Sequence, residues 1–310
     1  MSDLFSDRLL DAIARKGSPV CVGIDPMFEM IPDAIAGPIH KRDANNLDAC
    51  LDAIHDFSRG VLEIVAPHVP CVKFQSAYFE KYLWEGVELY YELVQEAKDL
   101  GLLVIGDVKR GDIGSTSDAY AAAHLNDLPF AQAEHVTTPD AITINPMLGL
   151  DAIEPFVRTA RETSKGLFVL VRTSNPGSAD FQDLKLDDGR TWSEALADRL
   201  EQVAMGTGMV GSRGWSNVGA VVGATQAHTM QSLRARLPRS IFLLPGYGAQ
   251  GATADMTRAA FTGGVGAIVS ASRSILYAHR DAKNEGKNWE KCVESAVVEM
   301  AQDLKRVLTA

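Results

Sequence analysis

The four cysteines of this 310-residue chain, Cys21, Cys50, Cys71 and Cys292, show no C-x-x-C or C-x-H spacing. That absence removes zinc-site and disulfide-framework readings. Cys21 and Cys71 lie inside apolar runs, where a thiol packs as a small hydrophobe. No stretch approaches ~18 consecutive apolar residues, so no membrane-spanning helix is expected. The amino terminus, Met1 to Arg8, has neither a basic n-region nor an apolar h-region, and a reducing, cytoplasmic setting follows as the expectation. A basic surplus is missing too. The formal net charge of −10 argues against a nucleic-acid surface, so an anionic ligand would have to be met by local Lys, Arg and backbone N–H groups. There is no low-complexity run and no composition shift marking a second domain, which leaves one domain over residues 1–310.

What is present is a regular alternation. After a short helix from Phe5 to about Lys16, stopped by Gly17, eight strand candidates follow: Val20–Asp25, Cys71–Gln75, Leu102–Asp107, Ala141–Asn145, Leu167–Arg172, Val218–Gly223, Ile241–Leu244 and Gly266–Ser270. Most are apolar on both faces, the mark of parallel strands covered on both sides. Most precede a helix-length segment with apolar residues at three- and four-residue spacing, such as Leu47, Cys50, Leu51, Ile54 and Phe57. Strands alternating with amphipathic helices give a parallel sheet with right-handed crossovers, and eight such units favour a closed (β/α)8 TIM barrel over an open doubly wound sheet. Asp25, Lys73, Asp107, Lys109, Asn145, Arg172 and Thr225 fall at or just past strand ends, the face on which barrels place their chemistry. Two connections are long, Pro26–Asn45 and Asn175–Thr191, and read as lids or binding loops. A last helix, Asn288 to about Leu308, carries Trp289, Val293, Ala296, Val297, Met300 and Leu304 on one stripe, suited to closing the barrel or to a subunit contact.

The chain's densest chemistry is Gly106-Asp107-Val108-Lys109-Arg110-Gly111-Asp112-Ile113, directly after the apolar run Leu102–Ile105. Strand alternation puts Asp107 and Lys109 on one side. Charges this close to a buried strand are costly unless they pair or do chemistry. Lys73 alone reads as a solvated rim lysine, but beside Asp107, Lys109 and Asp112 it joins an alternating array of cations and carboxylates. A second cluster follows the last two strands. Pro245-Gly246-Tyr247-Gly248-Ala249-Gln250-Gly251 follows strand seven, and Ser272-Arg273-Ser274 follows strand eight at a helix start. Glycines that let backbone N–H groups approach an anion, and an arginine at a helix start, fit a phosphate at the loops where barrels commonly hold one.

Asp107-x-Lys109-x-x-Asp112-x-x-x-Thr116, with Lys73 one strand earlier, resembles the active-site signature of the orotidine 5′-phosphate decarboxylase family. Ser174-Asn175-Pro176-Gly177 and Pro245–Gly251 match further motifs of that family. Gln75–Glu80, Asn145–Gly149 and Arg172–Gly177 are similar to its longer bacterial branch, type 2. The resemblance implies a cofactor-free and metal-free decarboxylation of orotidine 5′-phosphate to UMP by a cytoplasmic homodimer with shared sites. By it, Lys109 protonates C6 as CO2 leaves, and Asp107 faces the departing carboxylate. Lys73 and Asp25 hydrogen-bond the ribose hydroxyls, while Asp112 and Thr116 reach the neighbouring subunit's substrate. Ser174 contacts the pyrimidine, and Gln250 and Arg273 grip the phosphate. One departure stands out: many shorter members have Gly-Arg where this chain has Ser272-Arg273. Two alternatives remain beside this reading. One is a Mg2+-dependent sugar-phosphate decarboxylase or synthase on a related barrel, which would want an acid where Lys73 stands. The other is a non-catalytic phosphonucleotide-binding barrel.

Overall fold

The computed structural model describes residues 3–42, 45–130, 136–223, 227–248, 251 and 253–309. Its strands are β1 Val20–Ile24, β2 Cys71–Gln75, β3 Leu103–Arg110, β4 Ala141–Ile144, β5 Gly166–Arg172, β6 Ser216–Val222, β7 Ser240–Leu244 and β8 Ala267–Ala271. All neighbours pair in parallel, and β8 returns to β1, closing the barrel. The eight expected strands are all there. The largest change is at β3, which runs on to Arg110 because its ladder with β4 is irregular between Gly106 and Arg110.

Two hydrophobic layers hold this shape. The outer one lies between strands and helices. Helix Leu47–Val65 buries Cys50, Ile54, Phe57, Val61 and Val65; of the expected stripe, Leu51 is half-buried and Leu47 exposed at the helix start, where the Asn46 side chain accepts from the Ala49 N–H at 3.2 Å. Helix Trp192–Ala204 opens on a full capping box between Thr191 and Glu194. Trp289, at the start of the last helix (Trp289–Thr309), packs on Phe57 with ring centres 5.4 Å apart.

The inner layer fills the barrel's floor with Cys21, Cys71, Ile105, Ala141, Phe168, Ile241 and Ile268. The amino-terminal helix Phe5–Lys16 plugs it from below with Phe5, Leu9 and Leu10, Phe5 meeting Phe168 edge-on at 6.0 Å. Arg8 anchors the plug to Asp140 at 2.6 Å. Strand periodicity then sets what lies above the floor. Two residues on from Cys71, Ile105 and Ala141 come Lys73, Asp107 and Thr143, all facing one cavity at the carboxyl ends of the strands.

The two long connections carry structure of their own. Within Pro26–Asn45 lie a 3-10 turn, Phe28–Met30, and a helix, Asp33–Arg42. Within Asn175–Thr191 lie a 3-10 turn, Pro176–Ser178, a helical turn, Ala179–Gln182, and a bridge between Lys185 and Thr191.

The plug depends on Gly166, where an added Cβ would run into the Phe5 ring. Gly166→Ala is therefore expected to cost about 1–3 kcal/mol of stability by overpacking. Adding Phe5→Leu should return part of that loss in thermal unfolding. A parental midpoint for Gly166→Ala alone would show that the helix gives way freely.

Candidate active site

Above the floor opens a cavity of about 640 Å3, within the range of small-molecule sites. Asp107 stands at its base with both carboxylate oxygens fully used. Oδ2 accepts from Lys73 Nζ at 2.8 Å and Gln75 Nε2 at 3.0 Å. Oδ1 accepts from Lys109 Nζ at 2.5 Å and the Thr143 hydroxyl at 2.9 Å. Lys73 Nζ also lies 3.9 Å from Asp25 Oδ1, an oxygen that is buried with no hydrogen-bond partner among the described residues. Asp25, Lys73, Asp107 and Lys109 thus form one continuous array of alternating sign.

Burial alone would raise the pKa of Asp107. The two ammonium groups, Lys73 first and then Lys109, outweigh it and hold the carboxyl far below the usual carboxylate range. At Lys73 burial acts in the other direction, toward the neutral amine, and Asp107 with Asp25 overcomes it, so the ammonium is held above the ordinary lysine value. Asp107 and Lys73 are therefore both ionised at neutral pH, an opposite-charge pair held against the cavity. Lys109 is the exposed end: its side chain is 44% accessible against 7% for Lys73, so it has room to meet a ligand while Lys73 stays fixed.

Lys109 has a second peculiarity, a backbone φ of +47°. Non-glycine residues rarely adopt that region, and it marks functional corners more often than ordinary strand. The expected sharing of one side by Asp107 and Lys109 is present, but it comes from this turn in an irregular stretch of β3, not from regular alternation alone.

Of the other residues singled out from sequence, Ser174 and Arg273 line the same cavity, Arg273 exposed at its rim. Gln250 and Thr225 lie outside the described residues. Asp112 and Thr116 do not line the cavity of their own barrel. Asp112 Oδ1 accepts from the Ile113 N–H at 2.8 Å, and Thr116 is exposed on helix Gly114–Leu125. Arg172 also stays out of the cavity: its guanidinium grips Asp183 with two 2.9 Å bonds and holds the loop after β5. Asn145 is exposed, with Oδ1 accepting from the Met147 N–H.

Gln75, Tyr78, Thr143, Thr173, Asn175 and Tyr247 line the cavity without a role expected from sequence. Gln75 was findable, being two residues past Lys73 and the register partner of Asp107 on β3. Thr143 carried no such signal, since one threonine inside an apolar strand reads as filler. The Ser272 departure also has a structural partner. Its Oγ occupies the space where a Cβ on Gly23 would sit, so the glycine needed at this corner stands on β1. Space for a metal is poor here, because the Lys73 ammonium sits close to both carboxylates that would bind it. Among the described residues no group of three His, Cys, Asp or Glu side chains could hold one.

Comparison with known proteins gives the family. The model of the orotidine 5′-phosphate decarboxylase / HUMPS family matches residues 18–288. An orotidine 5′-phosphate decarboxylase of Rhodopirellula baltica is 39% identical over 309 residues, covering 97% of this chain and 99% of its own. One from Caldicellulosiruptor saccharolyticus is 40% identical over 279 residues, 89% of this chain and 90% of its own. Among solved structures, Leishmania donovani OMP decarboxylase superposes with a TM-score of 0.71 at 29% identity, covering 99% of this chain and 100% of its own. On the strength of a match spanning the whole barrel, with the charged array of β2 and β3 in place, this chain belongs to the orotidine 5′-phosphate decarboxylase / HUMPS family.

Proposed function

We propose that this chain decarboxylates orotidine 5′-phosphate to UMP and CO2, with Lys109 as the acid. The observation that carries the reading is the Lys73–Asp107–Lys109 array, ion-paired at the base of a cavity whose rim holds Arg273. Cleavage of the C6–carboxylate bond leaves its electron pair on a ring carbon that delocalises it poorly. A fixed ammonium stabilises such a charge without reorganisation. The Lys109 ammonium then passes a proton to C6, and the neutral amine regains one from water. Asp107 places a carboxylate beside the one about to leave, a repulsion relieved as CO2 departs. Lys73 and Asp25 bind the ribose hydroxyls, and the unpartnered Asp25 Oδ1 is an acceptor available for one of them. Ser174 contacts the pyrimidine. Arg273 and Gln250 hold the phosphate, and that remote grip supplies binding energy used at the reacting carbon.

The reaction so written draws on no metal or organic cofactor. The metal-dependent reading within the family would place a cation against Asp107, where Lys73 Nζ already sits at 2.8 Å. The same proposal includes a homodimer with shared sites. Asp112 and Thr116 do not line their own cavity. Beside them Ile113, Met147 and Leu148 are 59%, 67% and 56% exposed, apolar surface suited to a second copy. No described helix is long and apolar enough to cross a membrane, and a cytoplasmic setting belongs to the same reading.

The test is loss of substrate absorbance on conversion to UMP. The parent should turn over orotidine 5′-phosphate at the same rate with and without EDTA, and Lys109→Ala should lose about 10^3-fold or more of kcat, the scale of removing both a general acid and a fixed charge. An inactive parent, or a Lys109→Ala variant keeping most of its turnover, would sink the assignment; EDTA sensitivity would favour the metal-dependent branch. Mixing Asp112→Ala with Lys109→Ala chains should regenerate activity, since one site of each heterodimer is intact. Statistical exchange sets the ceiling at about a quarter of parental sites. Dimers shown to exchange, yet without recovery, would rule out a shared site.

A further inference from the structure

We propose that Thr143 is a positioning residue of the decarboxylation, a clamp that fixes the Asp107 carboxylate and the Lys109 backbone in one geometry. The inference rests on the function proposed above. Thr143 lies in β4, is 1% exposed and has its side chain on the cavity wall. Its Oγ1 accepts from the Lys109 backbone N–H at 2.9 Å and donates to Asp107 Oδ1 at 2.9 Å. The direction of those bonds follows from the proton count. An amide nitrogen can only donate to the hydroxyl, and an ionised carboxylate can only accept, so the single hydroxyl proton goes to Asp107.

The reason such a clamp is needed lies in the sheet. Gly106 pairs with Ile142 and Arg110 with Ile144, so the stretch from Gly106 to Arg110 on β3 faces only the stretch from Ile142 to Ile144 on β4. The longer side bulges, and both acid and base of the array are on it. Within that bulge Lys109 holds φ +47°, a conformation that costs a non-glycine residue free energy and persists only where neighbours impose it. Thr143 is the residue at the middle of the short side, and its hydroxyl takes the Lys109 N–H that regular pairing would have used.

The lysines cannot do this work themselves. An ammonium is a rotating point charge on a flexible stem, and it follows a carboxylate without fixing the carboxylate's plane. Threonine has few χ1 choices, and on a buried strand its oxygen is fixed with the backbone. Gln75 bonds the other oxygen, Oδ2, from the register-paired position on β2. Each Asp107 oxygen therefore has one cationic and one neutral donor, and of the two cations only Lys109 has room to move. When Lys109 turns toward C6 to give up its proton, Thr143 keeps Oδ1 from following it.

Kinetics separate positioning from binding. Thr143→Val keeps the shape of the side chain and deletes the hydroxyl, and should lower kcat about ten- to a hundredfold with KM for orotidine 5′-phosphate within about threefold of parent. Thr143→Ser keeps the hydroxyl and should recover kcat to within about threefold of parent. Turnover is referred to folded sites counted by UMP binding, so partial unfolding does not count as a catalytic loss. A Thr143→Val enzyme with parental kcat would overturn the proposal, as would equal impairment of Thr143→Ser, or a KM rising as far as kcat falls. A crystal structure of Thr143→Val tests the clamp independently of activity: the Asp107 carboxylate should rotate or Lys109 should leave its positive-φ conformation. Unchanged coordinates at both residues would overturn the clamp. If the parent fails to turn over orotidine 5′-phosphate, the functional reading falls by itself, and this structural comparison still decides whether Thr143 holds the array.

Discussion

A single carboxylate, Asp107, sets the conditions that the rest of the site obeys. Buried and ionised, it is stable only because four donors meet its two oxygens, two of them ammonium groups. Those donors come from three adjacent strands, so β2, β3 and β4 must hold their relative heights. The barrel meets that demand from below. A dry floor of interlocked side chains, plugged by Phe5 and Leu9, fixes the strands one pleat beneath the charges. Because the carboxyl is held below its ordinary value of ~3.9, its stabilising effect is complete above that pH and is lost only as acid titrates it in the folded state. The charge of Asp107 is thus kept down to acid well below its ordinary range.

The barrel itself was legible because its signals are local and repeated. Short strands apolar on both faces, each followed by an amphipathic helix, admit few arrangements, and every strand from Val20 to Ala271 formed where its apolar run stood. Lys73, Asp107 and Lys109 were legible for a related reason. Charges at the ends of such strands have nowhere to go but the rim, and period two puts Lys73 above Cys71 and Asp107 above Ile105. Arg172 obeyed the same positional rule and still turned out to clamp a loop through Asp183. Position at a strand end says that a side chain reaches the rim, not which way it turns there.

What sequence reasoning missed depends on non-local geometry. The left-handed turn at Lys109 arises from a mismatch between β3 and β4, invisible in either strand alone. Thr143 has meaning only once that mismatch brings the Lys109 N–H and the Asp107 carboxylate within its reach. The fit of Ser272 against Gly23 is similar in kind. The Ser272 Oγ takes the space that a Cβ at Gly23 would fill, and neither position shows this by itself.

The charge of the whole chain, −10, opposes a substrate that carries both a phosphate and a carboxylate. The cavity reverses that sign locally, with Lys73, Lys109 and Arg273 against Asp25 and Asp107 among its described residues. The arrangement of these charges matters more than their excess. Arg273 stands at the rim over the loops after β7 and β8, while the lysines belong to β2 and β3. In the proposed mechanism, an anion gripped near Arg273 would bring its far end to β2 and β3, where Asp107 would repel a carboxylate and Lys109 would attract the carbanion that replaces it. The capturing attraction and the destabilising repulsion would then come from different strands of one closed barrel, and the ladder between them would keep the first from relaxing the second.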